Sequence, residues 1–310
     1  MRPIGTWHGF AGQASVVRSL REHCAGATAK NQPLPHLCLA GSSGMGKTAI
    51  ANCIAKELGT TFLPLFCSPQ TKRWQMAKHL SQVKRCDVVF LDEVHQLIPA
   101  VQEILYPAID DQKVPVVNED NRLQENEWLK IPEFCVVAAT DQPGSMVNAF
   151  RQRLALRFVI QPYTLAEMRV IVANRAAEIG VLLSPQAASR IAESSRGIPR
   201  RCKHLLQSLQ TVMEDADVTV SKTMAHNHLQ SIGIDRDNLT DSDRQYLGVL
   251  ARRKGHVSLH NLTSSLGLDE MSVIRDIEPY LMQMEFISVE SRGRSLTDKG
   301  RQYVAQRRLA

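Results

Sequence analysis

Residues Gly41-Ser-Ser-Gly-Met-Gly-Lys47-Thr48 leave few folds open to this 310-residue chain. They read G-x-x-x-x-G-K-T, a loop whose successive backbone N–H groups turn inward and hold phosphate oxygens. Glycines are needed because the backbone turns tightly and comes close to its ligand. In such a loop the lysine, here Lys47, reaches the β- and γ-phosphates, and the next hydroxyl, here Thr48, is offered to Mg²⁺.

The flanks agree with that reading. His36-Leu-Cys-Leu-Ala40 is short and apolar, as a buried parallel strand is. After the loop, Ile50, Ala51, Ile54, Ala55 and Leu58 recur at helical spacing, and Gly59 is a stop signal. The N-terminus of that helix adds a partial positive charge under the phosphates. About 45 residues beyond the loop, Asp87-Val-Val-Phe-Leu-Asp92-Glu93-Val-His95 runs four apolar residues into two carboxylates. This is the acidic-ended strand that partners a phosphate loop. Asp92 is expected to hold Mg²⁺ through water, and Glu93 to polarise the attacking water.

Composition excludes other classes. Apolar residues make up 44% and charged residues 22%, as in an ordinary soluble protein of two or three domains. No run of eighteen apolar residues occurs, and the N-terminus lacks an apolar signal segment, so no membrane association is expected. The seven cysteines include no C-x-x-C pair, which argues against zinc and for a reducing cytoplasm. A net charge of +6 is compatible with nucleic acid without demanding it.

Strands are expected also at Thr61–Cys67, Phe134–Thr140 and Leu156–Gln161, with helices near 13–25, 73–84 and 99–109. Ala25–Pro35 reads as a loop. Strands alternating with helices argue for a parallel α/β sheet. Residues 110–131 read as a protruding β-hairpin, with Val114–Val117 and Trp128–Ile131 flanking a polar tip at Asn118–Asn126. From Pro162 the pattern turns helical, at about 164–180, 185–195, 199–214 and 221–232. Arg200 falls in the first turn of the third of these, after Gly197-Ile-Pro199. A cation is disfavoured there, so Arg200 is expected to face an anion.

Residues 234–241 read as a polar linker. Helices at about 241–254, 258–266 and 270–284, followed by a ribbon at 286–290 and 295–297, make a winged helix. Its tip, Ser291-Arg292-Gly-Arg294, places Arg292 and Arg294 to suit DNA phosphates or a narrow groove, while winged helices also serve as protein-binding modules. Residues 241–310 carry 11 Lys+Arg against 9 Asp+Glu, so the wing rather than bulk charge carries that inference.

With these motifs in place the chain resembles the AAA+ ATPases, and within them the RuvB family of Holliday-junction branch-migration motors. The likeness runs from Phe10-Ala-Gly-Gln13 to the wing. It includes Gly41–Thr48, Val89–His95, Glu103-Ile-Leu-Tyr-Pro-Ala108, Ala139-Thr140, Gly144-Ser145, Arg151-Gln-Arg153, Gly197-Ile-Pro-Arg200 and Glu278-Pro-Tyr-Leu281. It departs at Ser42-Ser43, where the family usually has two prolines, and at Asp141, usually Thr. It also departs at Leu154-Ala155, usually Phe-Gly, and in the Asn- and Glu-rich hairpin tip.

The resemblance implies an AAA+ ATPase domain over 1–161 with a P-loop parallel sheet, a helical lid over 162–236 and a DNA-binding winged helix over 237–310. It implies ATP and Mg²⁺ as cofactors and a ring of copies, a hexamer, around duplex or junction DNA. Nucleotide contacts fall on Phe10, Ala11, Gly44, Met45, Gly46, Lys47, Thr48, Ala49, Tyr163, Pro199 and Arg200. Thr140 takes the place of the residue that senses the γ-phosphate. Arg153 takes the place of an arginine finger reaching the neighbouring subunit, and Arg200 that of the lid's phosphate sensor. The hairpin at 110–131 would dock a RuvA-like junction-recognition partner. The alternative reading is a RuvB-like regulator or loader that uses ATP as an assembly switch on DNA or a partner protein.

Overall fold

A computed structural model describes residues 7, 9–213, 215, 217–253 and 255–307. Its strands before residue 160 are β1 (Leu37–Ala40), β2 (Phe62–Phe66), β3 (Val88–Asp92), β4 (Lys113–Val117), β5 (Leu123–Lys130), β6 (Cys135–Thr140) and β7 (Leu156–Val159). Five of them form one parallel sheet in the order β2-β3-β6-β1-β7. The central strands β1, β3 and β6 are buried on both faces, which is why they read as unbroken apolar runs. The edge strand β7 alternates half-buried and exposed residues, because successive side chains point to opposite faces of the sheet and one face is less covered there. Register pairs Ala40 with Thr140 and Leu91 with Ala138. The phosphate loop, the acidic strand end and the end of β6 therefore emerge side by side at one edge of the sheet, where open α/β sheets bind ligands.

The first helix runs over Ala14–Lys30, beyond its expected end at 25. The small residues Ala25-Gly-Ala-Thr-Ala29 resemble a loop, yet Cys24 and Ala27 are buried, and that packing carries the helix on to a left-handed Asn31. The hairpin forms from β4 and β5, but β5 begins at Leu123, so only 118–122 turn. Val114 and Ile131 are buried in the core, and Val117 and Leu123 pack against it. The apolar surface of the ribbon is thereby reduced to Trp128 and Leu129, which are 47% and 43% exposed.

The chain packs as two compact units, one up to Ile171 together with Gly197–Lys203, the other Val172–Arg196 together with His204 onward. The second unit holds the lid helices Pro185–Ser194 and Lys222–Ser231 and the winged helix. In the winged helix, Asp241–Arg252, Leu259–Leu266 and a third helix over Glu270–Gln283 precede β8 (Ile287–Glu290) and β9 (Gly293–Leu296). The third helix widens into a π-turn over Val273–Ile277, just before Pro279, which has no N–H to donate. Gly293 is required where it stands: its φ is 130°, and a Cβ there would lie 2.6 Å from the Val257 carbonyl oxygen. A closing helix, Asp298–Arg307, has no counterpart in the sequence-based expectation. Its signals are weak: Thr297 caps the Gly300 N–H, and only Tyr303 and Val304 supply an apolar face.

Residues 234–241, expected as a polar linker, are partly buried. Leu239 and Ile234 are buried, and two lid arginines turn into the segment. Arg190 donates to the Asp235 carbonyl at 2.6 Å. Arg196, 8% exposed, donates to the Asn238 carbonyl, forms a buried ion pair with Asp243 and stacks on Tyr280 at 3.8 Å. Taking two ions out of water costs several kcal/mol each, so such a pair persists only where further partners satisfy it. Asn238 and Tyr280 are those partners here. The polar residues of the segment are not there for water; they answer arginines that sequence proximity does not connect.

Candidate active site

Three glycines shape the phosphate loop: Gly41, Gly44 and Gly46 have φ of 153°, 80° and 94°. Gly44 is also sterically fixed, since a Cβ there would lie 2.7 Å from the Arg200 Cβ. Gly46 caps the twelve-residue helix Lys47–Leu58, whose first N–H groups face the loop. The buried Lys47 ammonium donates to the Gly41 and Ser42 carbonyls at 2.7 and 3.2 Å. Burial pulls its pKa down, while Glu93, Asp92 and Asp141 push it back up. Thr48 lies in the first helical turn with an exposed side chain, and Ala49 follows it.

The residues implied to hold the nucleotide gather around this loop. The Arg200 N–H donates to the Gly44 carbonyl at 3.2 Å, and its guanidinium donates to the Ser43 hydroxyl at 2.8 Å. Ser43, a departure from the family pattern, thus has a structural partner. Pro199 opens the helix that carries Arg200. Tyr163 donates its hydroxyl to the Met45 carbonyl at 3.1 Å, and its N–H to the Gly197 carbonyl at 3.0 Å. Phe10 lies near Gly46, and Gln13, two residues beyond Ala11, bonds the Gln161 backbone on both sides.

At the end of β3, Glu93 sits in the left-handed region with φ 55°. A non-glycine residue held there costs about 1–3 kcal/mol, and such strain clusters at functional positions. Its N–H donates to the Asp92 carboxylate at 3.1 Å. Burial raises the Glu93 pKa, and the neighbouring Asp141 raises it further against the pull of Lys47. A carboxylate shifted in this direction is a better proton acceptor than an exposed one.

Thr140 is fully buried at the end of β6, paired in register with Ala40 beside the phosphate loop. It accepts from the Gln142 N–H at 2.9 Å and meets His95 Nδ1 at 3.1 Å. His95 follows Glu93 in a 3₁₀ turn and fills the space beside the end of β6. His95 Nδ1 lies 3.4 Å from Glu93 and 3.6 Å from Asp141, and its Nε2 lies 2.9 Å from the Gln142 amide. Glu93, His95 and Asp141 are also close enough to hold a metal ion together. Sequence reasoning did not single out His95, Asp141 or Gln142 as a connected group. The one available signal was that Asp141 departs from the usual threonine.

Arg153 ends the short helix Asn148–Arg153 in unit one, with its side chain 27% exposed. It pairs with Asp110 and stacks over Tyr106 at 4.4 Å. Of the two wing arginines, Arg292 is 78% exposed, at the turn between β8 and β9. Arg294 was expected at the same tip, but it lies inside β9. There its guanidinium bonds buried Glu278 at 2.7 Å, and Glu278 also accepts from Tyr246 at 2.9 Å. The two-residue turn is tighter than the sequence suggests, and an unpaired buried Glu278 would be costly without that arginine.

Three family models match in order along the chain. They are the Holliday junction DNA helicase RuvB P-loop domain over residues 1–160, the RuvB AAA lid domain over 163–235 and the RuvB C-terminal winged helix domain over 237–305. The chain belongs to the RuvB family. RuvB of Rhodospirillum centenum is 33% identical over 298 residues, covering 95% of this chain and 82% of that one. RuvB of Campylobacter fetus is 30% identical over 300 residues, covering 96% and 87%. The solved RuvB branch-migration motor of Thermotoga maritima superposes with a TM-score of 0.84 at 30% identity, covering 98% of each chain.

As a RuvB-family AAA+ ATPase, the chain keeps the P-loop lysine, the hydroxyl after it and both strand-end carboxylates. The loop glycines form a cradle that a side chain would fill. Lys47 lies within electrostatic reach of Glu93, Asp92, Asp141 and Arg200. These groups fit ATP with Mg²⁺. Lys47, the loop N–H groups and Arg200 would hold phosphates, and Thr48 and Asp92 would hold the metal. Bound there, Mg²⁺ supplies neutralisation of phosphate charge.

Among the described residues, no helix is long and apolar enough to cross a membrane. The seven cysteines are free thiols, six of them buried. Burial pushes the Cys24 thiol up to about 12, so it stays protonated and behaves as a small apolar group.

Proposed function

We propose that this RuvB-family chain hydrolyses ATP with Mg²⁺ to drive duplex DNA, moving the branch point of a Holliday junction. The observation that carries this reading is the juxtaposition of Lys47, Glu93 and Arg200 around one glycine cradle, with an intact winged helix in the same chain. Glu93 takes the proton of the attacking water, Asp92 and Thr48 hold the metal, and Lys47 and Arg200 bind the phosphates. Thr140 takes the γ-phosphate-sensing place, with its hydroxyl bonded to His95 beside Glu93. Copies of the chain assemble in a ring, taken here as a hexamer, in which Arg153 reaches the neighbour's γ-phosphate. The work divides into an ATPase part over 1–161, a lid over 162–236 and a DNA-binding part over 237–310, in the cytoplasm.

The test is hydrolysis by the purified chain with and without four-way junction DNA, together with branch migration of a labelled junction. Junction-stimulated hydrolysis with strand exchange supports a motor. Hydrolysis without any movement of the junction would instead make the chain a regulator or loader.

Trp128 and Leu129 on the hairpin, with Lys113 5.2 Å over the Trp128 ring, form the docking surface for a RuvA-like partner. Trp128→Ala with Leu129→Ser is expected to leave basal hydrolysis unchanged and to remove stimulation by that partner. Partner stimulation undiminished in a titration would place the docking surface elsewhere.

Arg292 contacts the DNA backbone and reads no bases, because a motor must pass every sequence. Arg292→Ala is expected to weaken binding to unrelated duplexes equally. It should also flatten the slope of log affinity against log salt by about one, the loss of one phosphate contact. Arg294→Ala is expected instead to lower the melting temperature, since it strands Glu278. Unaltered salt dependence in Arg292→Ala would remove the wing from the DNA contact.

A further inference from the structure

Arg153 is held by residues of its own chain. Its Nε donates to both Asp110 oxygens, at 2.9 and 3.1 Å, and its Nη2 donates to Asp110 at 2.5 Å. Its Nη1 donates to the Ala149 carbonyl at 2.8 Å, one turn back in its own helix. The Tyr106 ring lies under the guanidinium, 4.4 Å away. A guanidinium carries five N–H groups. Three are used, one on each nitrogen, so one N–H remains on each terminal nitrogen. Those two N–H groups are donors that an anionic oxygen such as a phosphoryl oxygen can accept from. Asp110 and Tyr106 both come from the helix Leu105–Asp110, which leads directly into β4 of the hairpin.

We propose that Asp110 and Tyr106 are positioning residues for the finger: they fix the Arg153 guanidinium so that its remaining terminal N–H groups are presented to the neighbour's nucleotide. Two alternatives were available to the same atoms. A latch would consume every terminal N–H and suppress activity; the hydrogen-bond arrangement leaves one on each terminal nitrogen. A purely structural pair would need burial, but Asp110 is 44% exposed and the pair is screened, so little folding stability rests on it. What an ordered pair at the surface does achieve is to remove the rotamer freedom of a long side chain before it is needed. That freedom is otherwise lost in reaching the transition state. Because the carboxylate lies at the root of the hairpin, movement of the hairpin moves the finger.

The inference rests on Arg153 acting in trans, so the experiment separates the two. Asp110→Asn is expected to lower kcat about tenfold with KM for ATP nearly unchanged, and Asp110→Glu to recover part of the loss. Tyr106→Leu should act in the same direction and more weakly.

The decisive step is mixing. Asp110→Asn subunits have an intact phosphate loop and a misplaced finger. Lys47→Ala subunits have a correctly held finger and no usable loop. Co-assembled, they should hydrolyse ATP faster than either alone, because each intact loop then meets a correctly held finger. A control mixture of Arg153→Ala with Lys47→Ala tests action in trans by itself. If the control mixture gains activity and the Asp110→Asn mixture does not, the positioning role fails while the finger stands. If neither gains in co-assembled rings, the finger assignment fails, and the proposal with it. A rise in kcat for Asp110→Asn alone would mean that the contact restrains the finger, and would also overturn the proposal.

Discussion

Glu93→Gln is expected to bind ATP as tightly as the parent chain and to hydrolyse it roughly 10²–10⁴-fold more slowly, the range over which a positioned general base acts. The substitution keeps the size of the side chain, so the left-handed backbone at 93 and its contact with Asp92 survive. What disappears is the proton acceptor. Burial and Asp141 hold that acceptor at a raised pKa, which matches it better to a water proton than an exposed glutamate would be. Lys47→Ala should behave differently and lose binding as well, because the buried ammonium is the main cation of the loop. Fluorescent-nucleotide titration and phosphate release measured on the same preparations separate the two outcomes. Parental turnover by Glu93→Gln would put the base elsewhere, with Asp141 the next group to test.

The second large effect is expected at Arg153. Arg153→Ala should reduce hydrolysis by about 10³–10⁵-fold, the contribution of an arginine finger in other nucleotide hydrolases. Nucleotide binding should change little, since no bond joins Arg153 to its own phosphate loop; its partners are Asp110, Ala149 and Tyr106. A finger that stabilises only developing charge lowers kcat and kcat/KM together when removed. Single-turnover hydrolysis, measured with assembly checked by sedimentation, reads this directly. A loss confined to KM would mean that Arg153 binds ground-state nucleotide. Wild-type turnover would remove the finger altogether.

The machinery that is local in sequence was legible from sequence. The loop Gly41–Thr48 and the acidic end at Asp92-Glu93 each declare their chemistry within ten residues, because backbone curvature and the order of apolar and charged residues are short-range properties. The five-stranded sheet follows, since strands alternating with helices have few ways to pack. The hairpin and the helices of the lid and winged helix were visible for the same reason, through their periodicity.

What required the tertiary structure is, in each case, an ion or a hydroxyl choosing among distant partners. Thr140 meets His95, 45 residues away in sequence. Arg294 sits under Glu278 rather than on the wing's tip, and the polar run 234–241 is occupied by Arg190 and Arg196. Arg153 rests on Asp110, 43 residues earlier, a pairing that neither motif announces. A sequence pattern reports how often a residue type recurs along the chain, and so which face is apolar. It carries no distance between side chains far apart in the chain. The sequence by itself therefore determined the sheet, the phosphate cradle and the carboxylates at the end of β3, while only the folded chain decided which charges meet, because that depends on packing two separated segments to within about 3 Å of each other.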